Sequence, residues 1–379
     1  MAHLLRQEGP SAEAISRLTA AIQAARHTGD RLGEANTLLE LGTVRQMTGD
    51  YPGATRAQEE ALGIYLDLGD RVGEANARSE LGIMRSLTGD NQGAIRGLEE
   101  ALGIYLDVGD RLGEANALRS LGDVRLTTCD YRGATQATEQ ALDICRDLGD
   151  RLGEAYTLLN LGYQRRMMGE YVAAAQAVDA ALRISVDLDD RRSQSHALHV
   201  RGMVCYLTGD YPGAAQALQE SLDISVDLGE RPGVAQVLAS LGAVLRLTGD
   251  YPGAAQALQE ALVIYLDVGD RDGEAETLNE MGALHRVQGS LAEAEDCHRQ
   301  ALALARNLGL AWNEAHALAG LGRCARAAGR AADAEARLRQ AQDIFQRTGA
   351  GEAPGVAGEL DTLIRAEAAA EGSGPAAAR

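Results

Sequence analysis

The chain has 379 residues, with 36 Lys+Arg against 55 Asp+Glu, for a formal charge of −19. Such acidity argues against direct nucleic-acid binding, in which neutralisation of phosphates dominates affinity. No lysine occurs, so all 36 basic residues are arginine, which excludes a Walker-loop lysine, a Schiff-base lysine and a kinase-type lysine.

A 40-residue period runs through the sequence. Gly recurs at 42, 82, 122, 162, 202, 242, 282 and 322, preceded by Leu except at Arg201 and Met281. An acidic residue followed by Arg recurs at the same interval from Asp30-Arg31 to Asp270-Arg271, with Glu230-Arg231 among them, and residues 211–220 and 251–260 are identical. A fixed period of this kind is the mark of a repeat array rather than of separate globular domains.

Taken in chain order, the period places Met1 opposite Leu41, so residues 1–29 are expected to form a partial unit, half a helix followed by its partner. Residues 30–348 are expected to hold eight full units of two helices each. In the first, Ala35, Leu38, Leu41 and Val44 recur at helical spacing, and Gly49 ends the run in a left-handed conformation. Asp50 caps the next helix and Pro52 sits in its first turn, where a missing N–H costs nothing. Ala54, Ala57, Ala61, Ile64 and Leu68 then form a second apolar stripe. Gly69 closes it, Asp70 opens the next unit, and Glu74 in the first turn opposes the positive end of the helix dipole. Residues 349–370 carry a stripe of Val356, Leu360, Leu363 and Ile364, expected as a C-terminal capping helix. Residues 371–379 are expected as a disordered tail. Two readings stay open for the start: a fragment of a longer chain, or an open apolar end that docks on a partner or a second copy.

The units resemble the tetratricopeptide repeat family in Leu38-x-x-Leu41-Gly42 followed by Ala54 and Ala61. The resemblance covers nearly the whole chain and implies an all-α, right-handed superhelical solenoid of antiparallel helix pairs. Several features depart from the family pattern. The aromatic expected after Leu-Gly is Arg45, Arg85, Arg125, Arg165, Cys205, Leu245, His285 and Ala325 in turn, the later aromatic is Gln58 in the first unit, and the closing proline is missing. The period is 40 rather than 34, as in the arrays of spindle-orientation adaptors, actinobacterial signalling ATPases and antibiotic-pathway regulators. The lysine-free, Arg- and Ala-rich composition fits a bacterial, GC-rich source.

The resemblance also implies that first-helix residues flanking the Leu-Gly pair line a concave groove. Early units offer Asn36, Glu40, Asn76, Glu80, Asn116, Arg119 and Asp123 there. Later ones offer Leu159, Asn279, Glu280, Arg323 and Arg326, together with the residues expected to bind ligand: Tyr156, Asn160, Tyr163, Arg166, Met167, His196, His199, Met203, Tyr206, Arg246 and Arg286. An adaptable apolar centre with arginine flanks predicts a protein or peptide ligand with an apolar anchor and acidic flanks. His196 and His199 are three apart on one helix, but no H-E-x-x-H arrangement or third ligand accompanies them, so they are read as groove-lining or pH-responsive and no metal is expected. Trp312 is expected to pack the last junction between repeats.

No catalytic constellation or cofactor motif is found, and the chain is read as a non-catalytic scaffold or sensor of a bacterial regulatory or signalling system. The alternatives are a peptide-pheromone-sensing regulator and a self-assembling structural protein joined through the open N-terminal end. The N-terminus has no apolar leader core and no run approaches the ~18 apolar residues of a membrane span. The five cysteines are scattered, without C-x-x-C spacing, and read as small buried residues of a reducing cytoplasm.

Overall fold

The recurring Gly-Asp pair sets the helix boundaries. Asp50 Oδ1 accepts the N–H of Gly53 at 3.0 Å, and Asp70, Asp90, Asp110, Asp210 and Asp250 cap their helices in the same way. The capped residue is glycine for a reason: a Cβ on Gly53 would lie 2.0 Å from Asp50 Oδ2. At the other end Gly69 turns to φ 69°, the left-handed region, and the chain leaves the helix. Cys129 and Asp189 adopt the same positive φ (59° and 53°) without being glycine, at a cost of about 1–2 kcal/mol each.

The computed structural model describes residues 10–372, with side chains from 12 to 366. The half helix expected at 1–8 and residues 373–379 of the expected tail lie outside that range. The first helices are α1 Pro10–Thr28, α2 Arg31–Met47, α3 Tyr51–Leu68, α4 Arg71–Leu87, α5 Asn91–Val108, α6 Arg111–Thr127 and α7 Tyr131–Leu148. They are followed by α8 Arg151–Met167, α9 Tyr171–Asp187, α10 Arg191–Thr208, α11 Tyr211–Asp227, α12 Arg231–Thr248 and α13 Tyr251–Val268. The last are α14 Arg271–Val287, α15 Leu291–Leu308, α16 Ala311–Ala327, α17 Ala331–Thr348 and α18 Ala353–Gly372. No strand occurs among the described residues. The short connections make successive helices antiparallel neighbours, a solenoid of helix hairpins.

The glycine that recurs every 40 residues is the contact point within the hairpins. A Cβ on Gly242 would lie 2.6 Å from Leu258 Cγ, and Gly82, Gly202 and Gly322 meet Leu98, Leu218 and Leu338 in the same way. Gln58, where the family pattern carries an aromatic, is fully buried against Gly42.

The described residues divide into two compact units, the first holding those up to 128 and 132–150, the second 129–131 and those from 151 on. In the first, Leu98, Leu118, Leu121, Val124, Ala141 and Ile144 form a buried cluster. The Tyr65 and Tyr105 rings lie over Gly73 and Gly113, and their hydroxyls donate to Asn36 and Asn76, each at 2.7 Å. In the second unit, Leu218, Val237, Leu241 and Val244 form one cluster and Leu258 and Leu284 belong to another. Here even-numbered helices touch in sequence, α8 with α10, α10 with α12, α12 with α14 and α14 with α16. They form the inner row, and its exposed side is the concave face.

The ends of the second unit also meet. Gly351 N–H donates to Met167 O at 2.8 Å, and the backbones of Gly351 and Gly169 lie so close that a Cβ on Gly351 would sit 2.6 Å from Gly169 N. Trp312 stacks on His316 at 4.0 Å and donates to Glu352 at 3.3 Å, while His316 meets Phe345 edge-on at 5.2 Å. Helix α18 packs on α17 through buried Val356, Leu360 and Leu363, while Ile364 of the same expected stripe is exposed.

Candidate functional site

The inner row of the second unit carries a register absent from the first. The positions 40 residues apart along it are Arg166, Tyr206, Arg246, Arg286 and Arg326, whereas the first unit has Gln46, Ser86 and Leu126. Arg166 lies over the Tyr163 ring, its Cζ 4.7 Å from the centroid, and its Nη2 contacts Met167 Sδ at 3.3 Å. Its Nε is buried without a hydrogen-bond partner. Desolvation pushes the Tyr163 hydroxyl above its ordinary pKa, Arg166 opposing it.

Arg246 departs from the role of a free ligand handle. Its side chain is 9% exposed and its guanidinium donates to Glu280 at 2.9 and 3.3 Å, with Tyr206 Oη at 3.5 Å. Burial, and then the Glu280 charge, lift the Tyr206 hydroxyl to about 12. Arg286 is half-buried and forms no ion pair with a described residue; burial and then the Arg323 charge lower its pKa.

The other expected residues separate into core and surface. Met167 and His199 are buried in the helix packing. His199 Nε2 lies 2.9 Å from Ser240 Oγ, and burial drives its pKa to about 3. His196 is exposed and lines a cavity, so the two histidines are not gathered into one ligand pair. Tyr156 is half-buried and hydrogen-bonds Asp190, and Asn160 and Met203 are half-buried. Among the described residues no group of three His, Cys, Asp or Glu is arranged to hold a metal.

The cavity, about 720 Å³, opens at the N-terminal ends of α10, α12 and α14, with Arg192, His196, Glu230, Tyr265, Asp272 and Glu276 in its lining. Arg192 pairs with Glu230. Asp272 accepts from Asn313 Nδ2 at 2.6 Å. Glu276 has neither hydrogen bond nor ion pair with a described residue, and desolvation followed by the Asp272 charge raises its pKa to about 7. Sequence reasoning passed over Glu276, although it occupies the register of Asn36, Tyr156 and His196. That register was the signal that could have found it.

Hairpins repeated at one period, joined by caps and glycine contacts of one kind, define a helical-repeat protein. The tetratricopeptide repeat family matches residues 1–67, 73–147, 153–225, 196–267 and 273–347. The chain belongs to that family. No curated protein matches.

Among solved structures, the Rap conjugation gene regulator of plasmid pLS20, in complex with the Phr* peptide, is similar at TM-score 0.64 and 14% identity, over 89% of this chain and 95% of that one. A Rap protein complexed with Competence and Sporulation Factor gives 0.61 and 14%, over 91% and 99%. A signal transduction ATPase from Pyrococcus horikoshii with a tetratricopeptide repeat sensor gives 0.52 and 13%, over 96% of this chain and 56% of that one. At these identities the likeness is one of fold. Among the described residues no helix is long and apolar enough to cross a membrane.

Proposed function

We propose that the chain is a non-catalytic binding module that holds a peptide, or an extended segment of a protein, on the inner face of its second unit. The observation that carries this reading is Arg166, stacked on the half-buried Tyr163 ring in a register of arginines and tyrosine that the first unit lacks. A guanidinium braced on an aromatic ring is a ready donor to a ligand carbonyl or carboxylate. The surrounding tyrosines and Met203 supply an adaptable apolar seat, and the unpaired arginines further along favour acidic groups flanking it.

The structures similar in fold that were solved with Phr* and with Competence and Sporulation Factor favour a short peptide, and with it a peptide-sensing regulator, over a structural self-assembler. In this reading residues 30–348 are eight repeat units with a partial one before them, the segment 349–370 is a cap, and the module works in the cytoplasm of a bacterial signalling system.

Selection of a phage-displayed random peptide library on the purified chain, followed by calorimetry with the selected peptides, tests the proposal. Tyr163→Ala and Arg166→Gln are expected to weaken binding at least about tenfold. Unchanged affinity in both variants would remove the inner face as the binding surface.

A further inference from the structure

Beyond Arg246 the arginine register runs out of partners. Arg286 on α14 and Arg326 on α16 stand 40 residues apart on touching inner helices, and neither forms an ion pair with a described residue. Arg323, one turn before Arg326, is engaged by Glu359 of α18: its Nε donates at 3.0 and 3.2 Å and its Nη2 at 2.7 Å. Burial works to raise the Glu359 carboxyl, but the Arg323 hydrogen bond and the charges of Arg323, Arg326 and Arg286 outweigh it and hold the group below its ordinary range. The neighbouring carboxylates are committed elsewhere, Glu280 to Arg246 and Glu295 to Arg330 and Arg299. Glu359 is thus bound by Arg323, while Arg286 and Arg326 have no carboxylate partner of their own among the described residues.

We infer that Arg286, Arg323 and Arg326 form an anion subsite of the ligand face that takes a carboxylate of the bound peptide, and that Glu359 of α18 is its built-in competitor. The chemistry favours a carboxylate, because Glu359 already shows a carboxylate accepted by the planar Arg323 fork. Spacing agrees. Packed helices stand ~8–10 Å apart, about one turn of a polyproline II peptide (three residues at ~3.1 Å each), in which acidic side chains three apart share a face and reach Arg286 and Arg326 together. Glu359 is tethered and so competes at a high effective concentration. An incoming carboxylate is met first by the two unpaired arginines, and takes a share of Arg323 only as Glu359 withdraws.

The inference rests on the proposed ligand face, and the two can fail separately. Triglutamate and inorganic phosphate serve as probes in calorimetry at low salt, with thermal melts to establish that each variant is folded. Arg286→Gln and Arg326→Gln should each weaken triglutamate about tenfold, and Glu359→Gln should tighten it several-fold. Arg96→Gln, which removes an exposed arginine of the first unit, should leave it unchanged. An equal loss with Arg96→Gln, no response to Glu359→Gln, or phosphate binding in place of triglutamate would overturn the inference. Library peptides that depend on Tyr163 but not on Arg286 or Arg326 would overturn it too, and would leave the ligand face standing.

Discussion

Removing the carboxylate from the Arg246–Glu280 pair should cost the second unit about 2–3 kcal/mol. The Arg246 side chain is 9% exposed and that of Glu280 27%, with bonds of 2.9 and 3.3 Å between them. Deleting one partner of a fully buried pair costs about 3–5 kcal/mol, and an exposed pair contributes only about 0.2–1. Glu280→Ala falls between these, nearer the buried limit. The group it strands is the buried arginine, left with Tyr206 Oη at 3.5 Å. Arg246→Leu should cost less, because the carboxylate it strands keeps contact with water. The double variant should therefore be more stable than the sum of the two losses implies, by about 1–2 kcal/mol. Repeat arrays do not unfold in one step, so urea melts need hydrogen exchange across α12 to α14 beside them. A coupling within about 0.5 kcal/mol of zero would refute the reasoning.

Gly242→Ala places a methyl 2.6 Å from Leu258 Cγ and should destabilise by about 1–2 kcal/mol net of the helix propensity it gains, whereas Gly358→Ala, which meets nothing within 4 Å, should stabilise by up to about 1; denaturant midpoints decide the signs. Glu276 holds its proton to about pH 7 when folded against an ordinary 4.5. Its contribution is thus present below about pH 4.5 and lost as pH rises through 7, so the advantage of Glu276→Gln should grow across that window to about 1–2 kcal/mol, read from melts at several pH values. His199 behaves oppositely, with a pKa near 3 against 6.5. Its contribution is full above about pH 6.5 and lost as pH falls toward 3, so acid should destabilise the parent more steeply than His199→Gln in melts over that range.

The helices were legible because each boundary depends on a residue and its near neighbours: Asp50 caps Gly53, and Gly69 turns the chain. The register along the inner helices was legible for the same reason, since a 40-residue period keeps Arg246, Arg286 and Arg326 on equivalent positions. What the period hides is how one helix meets the next. Arg246 reads as a free cation until the pitch of the array brings Glu280, 34 residues on, against it. His199 reads as a groove residue until Ser240 of the following inner helix covers it. The division after Asp150 falls in an unbroken run of the period, and no local chemistry marks it.

The backbone contact between Gly351 and Met167 alters how the second unit should be thought of energetically. In an open array each hairpin feels only its neighbours, so damage at one end decays within a unit or two. A hydrogen bond joining positions 184 apart (351 minus 167) makes the first and last hairpins of this unit neighbours as well. Its stability then has no terminal hairpin that can fray freely, and a long loop must close before the contact forms, which slows folding and raises cooperativity. A bulky residue at Gly351 would reopen the circle without touching any hairpin's own core.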